Sequence, residues 1–361
     1  PTSSNLRRAR ALWQMRVRKR PFVLSHGITA RCNLSCPFCE YWRRPGREMS
    51  TPEILRMLDE AHDFGIGVYN AWTVEPLLRE DFVQIYTAAR RFGMLVSVFT
   101  NASLLDEAHL DAFQEYPPEL VEVSLYGATR ATYERVTGEQ GSFDRTLHGV
   151  HRLLDRGVKV GVKTMILSDN VEEIADIEGL AADLGVPFRL DVVVTPRLDG
   201  DPVPLQQRVE PECAVAVELS GGERCSEMAR FYERRQASCE TGGLPRDRFY
   251  YCGAGISSFH IDPRGFVHPC VMSPGIGYDG VSLGFAAAWR AVTAAIDGLV
   301  WEGVGGCADC PIIDICGYCP GLFTLEGTTP SRPPEYLCRL GEHRLLGIGG
   351  VRPEVVHVGG E

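Results

Sequence analysis

Ten cysteines in two arrays hold most of the chemistry open to this 361-residue chain. The first array is Cys32, Cys36 and Cys39, a Cys-x3-Cys-x2-Cys loop inside Arg31-Cys-Asn-Leu-Ser-Cys-Pro-Phe-Cys-Glu-Tyr-Trp42, directly after an apolar run. Three thiolates hold three corners of a cubane. A [4Fe–4S] cluster normally takes four Cys ligands, so such a loop leaves one iron open to a chelating molecule. S-adenosylmethionine (SAM), with its amino and carboxylate groups, is the obvious one. Taken alone, a Cys triplet also reads as part of a zinc site or as three core thiols, because free Cys is among the most buried residue types. The second array runs from Cys252, through twelve residues, to Gly265-x4-Cys270, then to Cys307-x2-Cys310-x5-Cys316-x2-Cys319 and Cys338. Two Cys-x2-Cys pairs can build a zinc site. The five residues between them are far fewer than the roughly fifteen or more of a zinc ribbon, and seven cysteines exceed what one zinc uses.

The elements that must position the first loop are legible as alternation. Short β-branched runs at Phe22–Thr29, Ile66–Trp72, Met94–Thr100, Leu120–Tyr126, Val158–Ile166 and Phe188–Thr195 predict six strands. Between the first two, Ser50-Thr-Pro-Glu53 is a capping box with Pro in the first turn. Ile54, Leu58 and Ala61 then share one helical face, and Gly65 ends it. Similar faces appear at Phe82, Ile85 and Ala89 before Gly93, at Leu147, Val150 and Leu154 before Gly157, and at Ile174, Ile177, Ala181 and Leu184 before Gly185. Strands separated by helices imply parallel βα units with right-handed crossovers; periodicity does not distinguish an open sheet from an arc of barrel. In such folds the chemistry sits at the C-terminal ends of the strands. Asn170, just before a helix, reads as an N-cap. Residues 197–248 are richer in Pro, Gly and mixed charge, with one helix over 223–235, and read as a bridge; Cys213, Cys225 and Cys239 lie there without recognisable spacing. Ile261-Asp-Pro-Arg-Gly265 reads as a hairpin turn that brings Cys252 and Cys270 onto neighbouring strands. His260 and His268 flank these ligands and read as structural.

Composition limits the partners. A net charge of −10 argues against nucleic acid or an anionic membrane surface, because phosphate binding is driven by basic patches. The basic run Arg16–Arg20 reads as a solvated face. No run of 18 apolar residues spans a bilayer and no signal-peptide core is present, so the expected location is cytoplasmic. Thirteen cysteines, an odd number, fit cluster ligation better than a disulfide framework.

The Cys32–Cys39 loop, including Phe38 before its last cysteine, resembles the signature of the radical SAM superfamily. The second array resembles the SPASM extension of those enzymes, apart from two rather than three residues between Cys316 and Cys319. The resemblance implies an α/β fold: a partial (β/α)6 barrel over residues 1–200, a bridge at 201–250, a small cysteine-rich SPASM domain with a β-hairpin at 251–342, and a tail at 343–361. It implies a SAM-binding [4Fe–4S] cluster on Cys32, Cys36 and Cys39 and two auxiliary iron–sulfur clusters. One auxiliary cluster would sit on Cys307, Cys310, Cys316 and Cys338. The other would sit on Cys252, Cys270 and Cys319, with Cys239 the nearest candidate for its fourth ligand.

Further site residues follow by position. Trp72-Thr-Val-Glu-Pro76 stands where the family carries Gly-Gly-Glu-Pro, so Glu75 would hold the methionine ammonium although Thr73 and Val74 replace the glycines. Thr100-Asn-Ala resembles Thr-Asn-Gly, placing Asn101 in the site. Ser124-Leu-Tyr-Gly127 resembles Ser-x-Asp-Gly, with Ser124 on the methionine carboxylate. A surface charge, a loop cap and a satisfied strand hydroxyl are the plainer readings of Glu75, Asn101 and Ser124; the catalytic base is not identifiable. The activity implied is that of a radical SAM oxidoreductase, which cleaves SAM to a 5′-deoxyadenosyl radical and oxidises a ribosomally made peptide by cross-link, thioether or other C–H chemistry. Dehydrogenation of a small molecule such as a sugar or aminocyclitol is the alternative, and a zinc-binding scaffold a non-enzymatic one. Sulfatase maturation is disfavoured, because Val271 rather than an acid follows Cys270. Flavodoxin or ferredoxin is the expected reductant. About thirty residues precede Cys32, so a peptide substrate is expected to need a separate recognition protein or contacts on the barrel rim.

Overall fold

The computed structural model describes residues 20–39, 46–72, 74–220, 222–240, 249–299 and 306–349, with backbone alone at 238–240. Six parallel strands form the first layer: β1 (Val23–Gly27), β2 (Val68–Trp72), β3 (Leu95–Thr100), β4 (Leu120–Ser124), β5 (Val160–Met165) and β6 (Phe188–Asp191). All six fall inside the expected runs, with the last the most shortened. Helices cover one face: α1 (Thr51–Phe64), α2 (Phe82–Arg91), α3 (Glu107–Glu115), α4 (Arg130–Thr137), α5 (Ser142–Asp155) and α6 (Ile174–Asp183).

Their limits follow the local chemistry. Ser50 and Glu53 cap α1 reciprocally, and Gly65, at φ 106°, ends it, a conformation that only glycine adopts without a steric penalty. On α5 the buried face is Thr146, Gly149, Val150 and Leu153, rotated from the expected Leu147, Val150 and Leu154. The small Gly149 lets the helix come down on the chain after β3, where a Cβ would stand 2.1 Å from the Ala102 carbonyl oxygen.

Alternation along each strand sorts two faces. Leu24, Tyr69, Ala71, Val96, Val98, Val121, Val123 and Val162 are buried against the helices. The other face is half-buried and polar, with Ser25, Asn70, Ser97, Ser124 and Lys163 beside Trp72 and Phe99. That polar face is the inside of the arc.

The sheet does not stop at the barrel. Its order is β6-β5-β4-β3-β2-β1-β7-β8-β9, where β7 (Ser258–Ile261) runs parallel to β1 in the register Val23↔Ser258. β8 (Phe266–His268) and β9 (Tyr278–Asp279) continue it antiparallel. The expected hairpin is present, and its first strand covers the open edge of β1. Asp262 builds the turn by accepting from the backbone N–H groups of Arg264 and Phe266, both at 3.0 Å.

The remaining helices are α7 (Pro211–Glu218), α8 (Gly222–Glu240), α9 (Gly280–Leu283), α10 (Phe285–Asp297), α11 (Pro320–Leu325) and α12 (Glu335–Gly347). α12 crosses the boundary expected at 342 and is tied inward: Arg344, 7% exposed, bonds both carboxylate oxygens of Glu218 on α7, at 2.7 and 2.8 Å. Among the described residues no helix is long and apolar enough to cross a membrane. Most of the basic run Arg16–Arg20 lies outside the described residues.

Candidate active site

The Cys32–Cys39 loop lies beyond the C-terminal ends of the parallel strands and is held from both sides. Glu48 accepts from Thr29 Oγ1 at 2.7 Å and from the Ala30 N–H at 2.8 Å, and Thr29 Oγ1 accepts from the Arg31 N–H at 3.1 Å. Buried Arg79 stands behind, paired with Glu48 and Asp81 and donating to the Ile28 and Met49 carbonyls. Past Cys32, Asn33 accepts from Asn101 Nδ2 at 2.9 Å and donates to Ser103 Oγ at 2.9 Å, and the Ser35 N–H donates to the Thr137 carbonyl at 2.8 Å. Leu34, Cys36 and Phe38 then pack with Val136, Leu167 and Val194, with Cys32 and Cys39 at the margin. Neither Glu48 nor Arg79 is marked by spacing; folding alone brings them to the loop.

Glu75 is fully buried and N-caps a 3-10 turn at Pro76–Leu78. Its Oε1 accepts from Leu77 N–H at 3.1 Å and Thr100 Oγ1 at 2.7 Å, and its Oε2 from the Asn101 N–H at 2.7 Å. These fill three of a carboxylate's four or so acceptor positions. Burial pushes its pKa up to about 7, against the pull of these donors. The carboxylate therefore first ties the end of β2 to the end of β3. Asn101 does the same from the other side, its Oδ1 accepting from Ser103 N–H at 2.9 Å while its amide reaches the cysteine loop. Val74 and Ala102 have φ of 47° and 58°, the left-handed region, where a β-branched residue is a genuine outlier. The backbone thus keeps a glycine-like path at two places where the resembling motifs carry Gly. Thr73 lies outside the described residues.

Ser124 ends β4 on the polar face, hydrogen-bonded to the Tyr126 hydroxyl, which burial and the nearby Cys36 hold well above the ordinary phenol range. The Tyr126 ring meets Phe38 edge-on with centroids 4.9 Å apart. Asn170, expected as an N-cap, makes no such bond. It is 1% exposed, donates to the Tyr126 and Met165 carbonyls, both at 3.0 Å, and accepts from Leu167 N–H at 2.9 Å. A buried amide with two donors stitches the ends of β4 and β5 together, which sequence adjacency to a helix could not reveal.

The second array separates into two groups in space. Burial raises the Cys307 thiol, and charge on Cys316, Cys338 and Cys310 raises it further; Cys316 goes up to about 12 by burial and then Cys310 and Cys338. Cys319 goes up to about 12 by burial, with Cys270 and Cys252 adding to it. Cys252 and Cys270 lie in the segments before β7 and after β8 rather than on the strands as expected, yet the fold brings them together. Short N–H contacts point at sulfur: Leu34 to Cys32 at 3.3 Å, Leu322 to Cys319 at 3.4 Å and Ala254 to Cys252 at 3.5 Å. The Cys32 thiol is up at about 11, chiefly from burial.

Apart from the exposed Cys252 these thiols are half-buried or buried, and close-set thiols of that kind with oriented N–H donors suit a bound metal, which deprotonates a coordinating thiol outright. That donor chemistry fits iron–sulfur clusters. Among the described residues no three His, Cys, Asp or Glu side chains are gathered tightly enough to hold a single metal ion, and a cubane spreads its thiolates over separate irons. The Cys239 side chain lies outside the described residues.

A cavity of about 550 Å3 opens between Ala30 and Glu48 on one side and Leu198, His260, Asp262 and Val271 on the other. Cys39, Val74, Val271 and Met272 all pack on Leu198 and Leu325, so the first cysteine loop and the segment after Cys270 meet here. His260 and His268 are buried at its wall; His268 Nδ1 bonds the Ile276 carbonyl at 2.8 Å and its Nε2 lies 3.5 Å from Asp262.

Residues 27–184 match the Radical SAM superfamily. The Fe-coproporphyrin III synthase of Methanosarcina barkeri is 33% identical over 47% of this chain and 43% of its own length. The PqqA peptide cyclase of Rhodopseudomonas palustris is 25% identical over 87% of this chain and 86% of its own. The latter apart, the chain spans about half the length of the curated relatives it matches. Among solved structures, Streptococcus suis SuiB bound to the precursor peptide SuiA superposes with a TM-score of 0.69 at 16% identity, covering 93% of this chain and 80% of that one. This likeness is one of fold.

Proposed function

We propose, from the premise that this chain carries a radical SAM domain followed by a cysteine-rich region, that it oxidatively modifies a ribosomally made peptide. Cys32, Cys36 and Cys39 would hold the SAM-binding [4Fe–4S] cluster. Cys307, Cys310, Cys316 and Cys338 would hold one auxiliary cluster of a SPASM domain, and Cys252, Cys270 and Cys319 the other. When bound, the first cluster and SAM supply one-electron cleavage of SAM and hydrogen-atom abstraction from an unactivated carbon. The chain's own part is positioning. Glu75 and Asn101 fix the loops after β2 and β3, with one acceptor position of Glu75 to offer the methionine ammonium. Ser124, held by Tyr126, would take the methionine carboxylate, and Phe38 and Tyr126 would shelter the cysteines from water. Flavodoxin or ferredoxin would be the reductant. Oxygen-sensitive clusters would suit a reducing compartment, hence the cytoplasm.

The observation that carries this reading is the packing of Cys39 and of Val271, the residue after Cys270, on Leu198 and Leu325 beside one cavity. A substrate there would lie between the segment that carries Cys39 and the segment that carries Cys270, which would hold the groups that supply hydrogen-atom abstraction and acceptance of the second electron. The peptide reading draws on the PqqA peptide cyclases and on SuiB with its precursor peptide. The cavity volume also suits a small molecule, which keeps dehydrogenation of a sugar or aminocyclitol as a second reading. Anaerobically reconstituted protein is expected to bind about ten to twelve irons per chain. Replacing Cys32, Cys36 and Cys39 together by Ala should remove about four irons and abolish SAM cleavage. Stoichiometric zinc in place of iron would overturn the assignment.

A further inference from the structure

A second cavity lies away from the strand ends. It measures about 950 Å3 and runs along the outer edge of the sheet, between β6 and α8. Phe188, Arg189 and Leu190 of β6 form one wall. β6 is the last strand on its side of the sheet, so among the described residues no strand pairs with its outer edge. Native proteins usually blunt or cover such an edge, because its unpaired N–H and C=O groups are a template for another strand.

The opposite wall is one face of α8. Arg224, Glu227, Met228, Phe231 and Arg234 recur at helical spacing and all line the cavity. Six arginines and three acids line it in all, on a chain whose net charge is −10. Four of those arginines are committed: Arg189 to Glu122, Arg224 to Glu178, Arg235 to Asp314 and Arg344 to Glu218. Arg230 and Arg234, one turn apart and exposed, make no ion pair among the described residues. Phe231 between them is 44% exposed, one of few large apolar side chains left in solvent among the described residues.

We propose that this groove binds an extended, acidic peptide segment, added as a further strand to the edge of β6 with its carboxylates on Arg230 and Arg234. The backbone of β6 supplies the ladder, Phe231 and Met228 an apolar contact for alternate side chains, and the arginines the selectivity; main-chain bonding with side-chain pockets is the usual division in strand addition. A strand laid on β6 ends beside Arg189, which pairs with Glu122 inside the arc, and Asp191, which pairs with Arg189. A peptide held there is delivered toward the mouth of the barrel. This rests on the peptide-modifying reading above and names the recognition surface that reading requires.

The test uses anaerobically reconstituted full chain and a fluorescein-labelled octapeptide alternating glutamate and valine, followed by fluorescence anisotropy. Saturable binding that weakens with salt is expected, absent for the lysine–valine analogue. Arg230→Glu with Arg234→Glu should weaken it about tenfold or more, and N-methylation of alternate peptide bonds on the probe should weaken it with the protein untouched. Equal binding of the lysine probe or of the N-methylated probe, or an unchanged affinity in the double variant, overturns the proposal. A double variant that instead needs more flavodoxin for half-maximal SAM cleavage would assign the surface to the electron donor and also overturn it. Dithionite-driven SAM cleavage is measured alongside. Its loss in the parent protein counts against the radical SAM reading, whereas intact cleavage without probe binding counts against the groove alone.

Discussion

Glu75 is a fully buried carboxylate whose three protein donors make it a joint between two loops, beside the ligand role proposed for it. Glu75→Gln turns an NH2 group toward donors that now point at oxygen, and leaving one such buried donor unsatisfied costs about 1–3 kcal/mol. A lower denaturation midpoint is therefore expected, together with SAM binding weakened about tenfold through loss of a charge-assisted bond. Burial also makes this contact pH-dependent. The folded group titrates near 7, above its value of about 4.3 in an unfolded chain, so in the fold it is largely protonated below that pH. An ammonium favours the ionised form, so binding SAM below pH 7 releases a proton and affinity falls as pH is lowered. Between pH 6 and 7 the affinity of the parent should rise roughly fivefold, in proportion to the ionised fraction, and that of Glu75→Gln should not. Equilibrium binding at the two pH values checks both; a variant that binds SAM as the parent does removes Glu75 from the site.

At the scale of the element, α12 decides how the cysteines of the last array meet. Cys338 sits on its first turn, and Gly341, one turn on, presses against Cys316: a Cβ there would lie 2.6 Å from the Cys316 Cβ and 2.9 Å from its Cα. Something must shift, because overpacking a dense interior typically costs 1–3 kcal/mol. Gly341→Ala should displace Cys338 from Cys316 and lower the reconstituted iron content by about four, while SAM cleavage at the first cluster continues. Unchanged iron would mean that α12 does not set the ligand geometry. The same scale shows where sequence patterns ran short. α3 carries its own capping box, Asp106 with His109 at the third position, yet His in place of Glu or Gln hid it. α4 is short and strongly polar, with Thr129 accepting from Thr132 N–H, and lacks the apolar stripe that marked its neighbours.

For the whole molecule, the joining of β7 to β1 changes what loss of a proposed auxiliary cluster should do. Metal ligation supplies folding energy where a region has little core of its own. Cys338→Ala should therefore loosen the chain from Cys307 to α12, seen by hydrogen exchange on the anaerobic protein. Strands β7 and β8 should stay protected, because they are rungs of the barrel sheet. Substrate turnover should stop, and uncoupled SAM cleavage should persist. Undiminished protection and iron would make Cys338 an ordinary thiol; protection lost across β1 as well would show that barrel and cysteine-rich region fold as one unit.

The sequence by itself determined the six strands, four of the covering helices, the hairpin turn and the membership of each cysteine array, because hydrophobic period, caps and Cys spacing are local signals. It also marked Glu75, Asn101 and Ser124 as strand-end residues. The tertiary structure alone decided what those residues touch: that Glu75 spans β2 and β3, that Asn170 is a stitch rather than a cap, that Arg79 and Glu48 hold the cysteine loop, and that Cys252 and Cys270 lie outside strands β7 and β8 rather than on them. These contacts join positions far apart in the chain, and no local pattern records them. Burial then assigns their energies, because a carboxylate or thiol is ordinary in water and costly in the interior, and which side chains become interior is settled only when the whole sheet has closed over them.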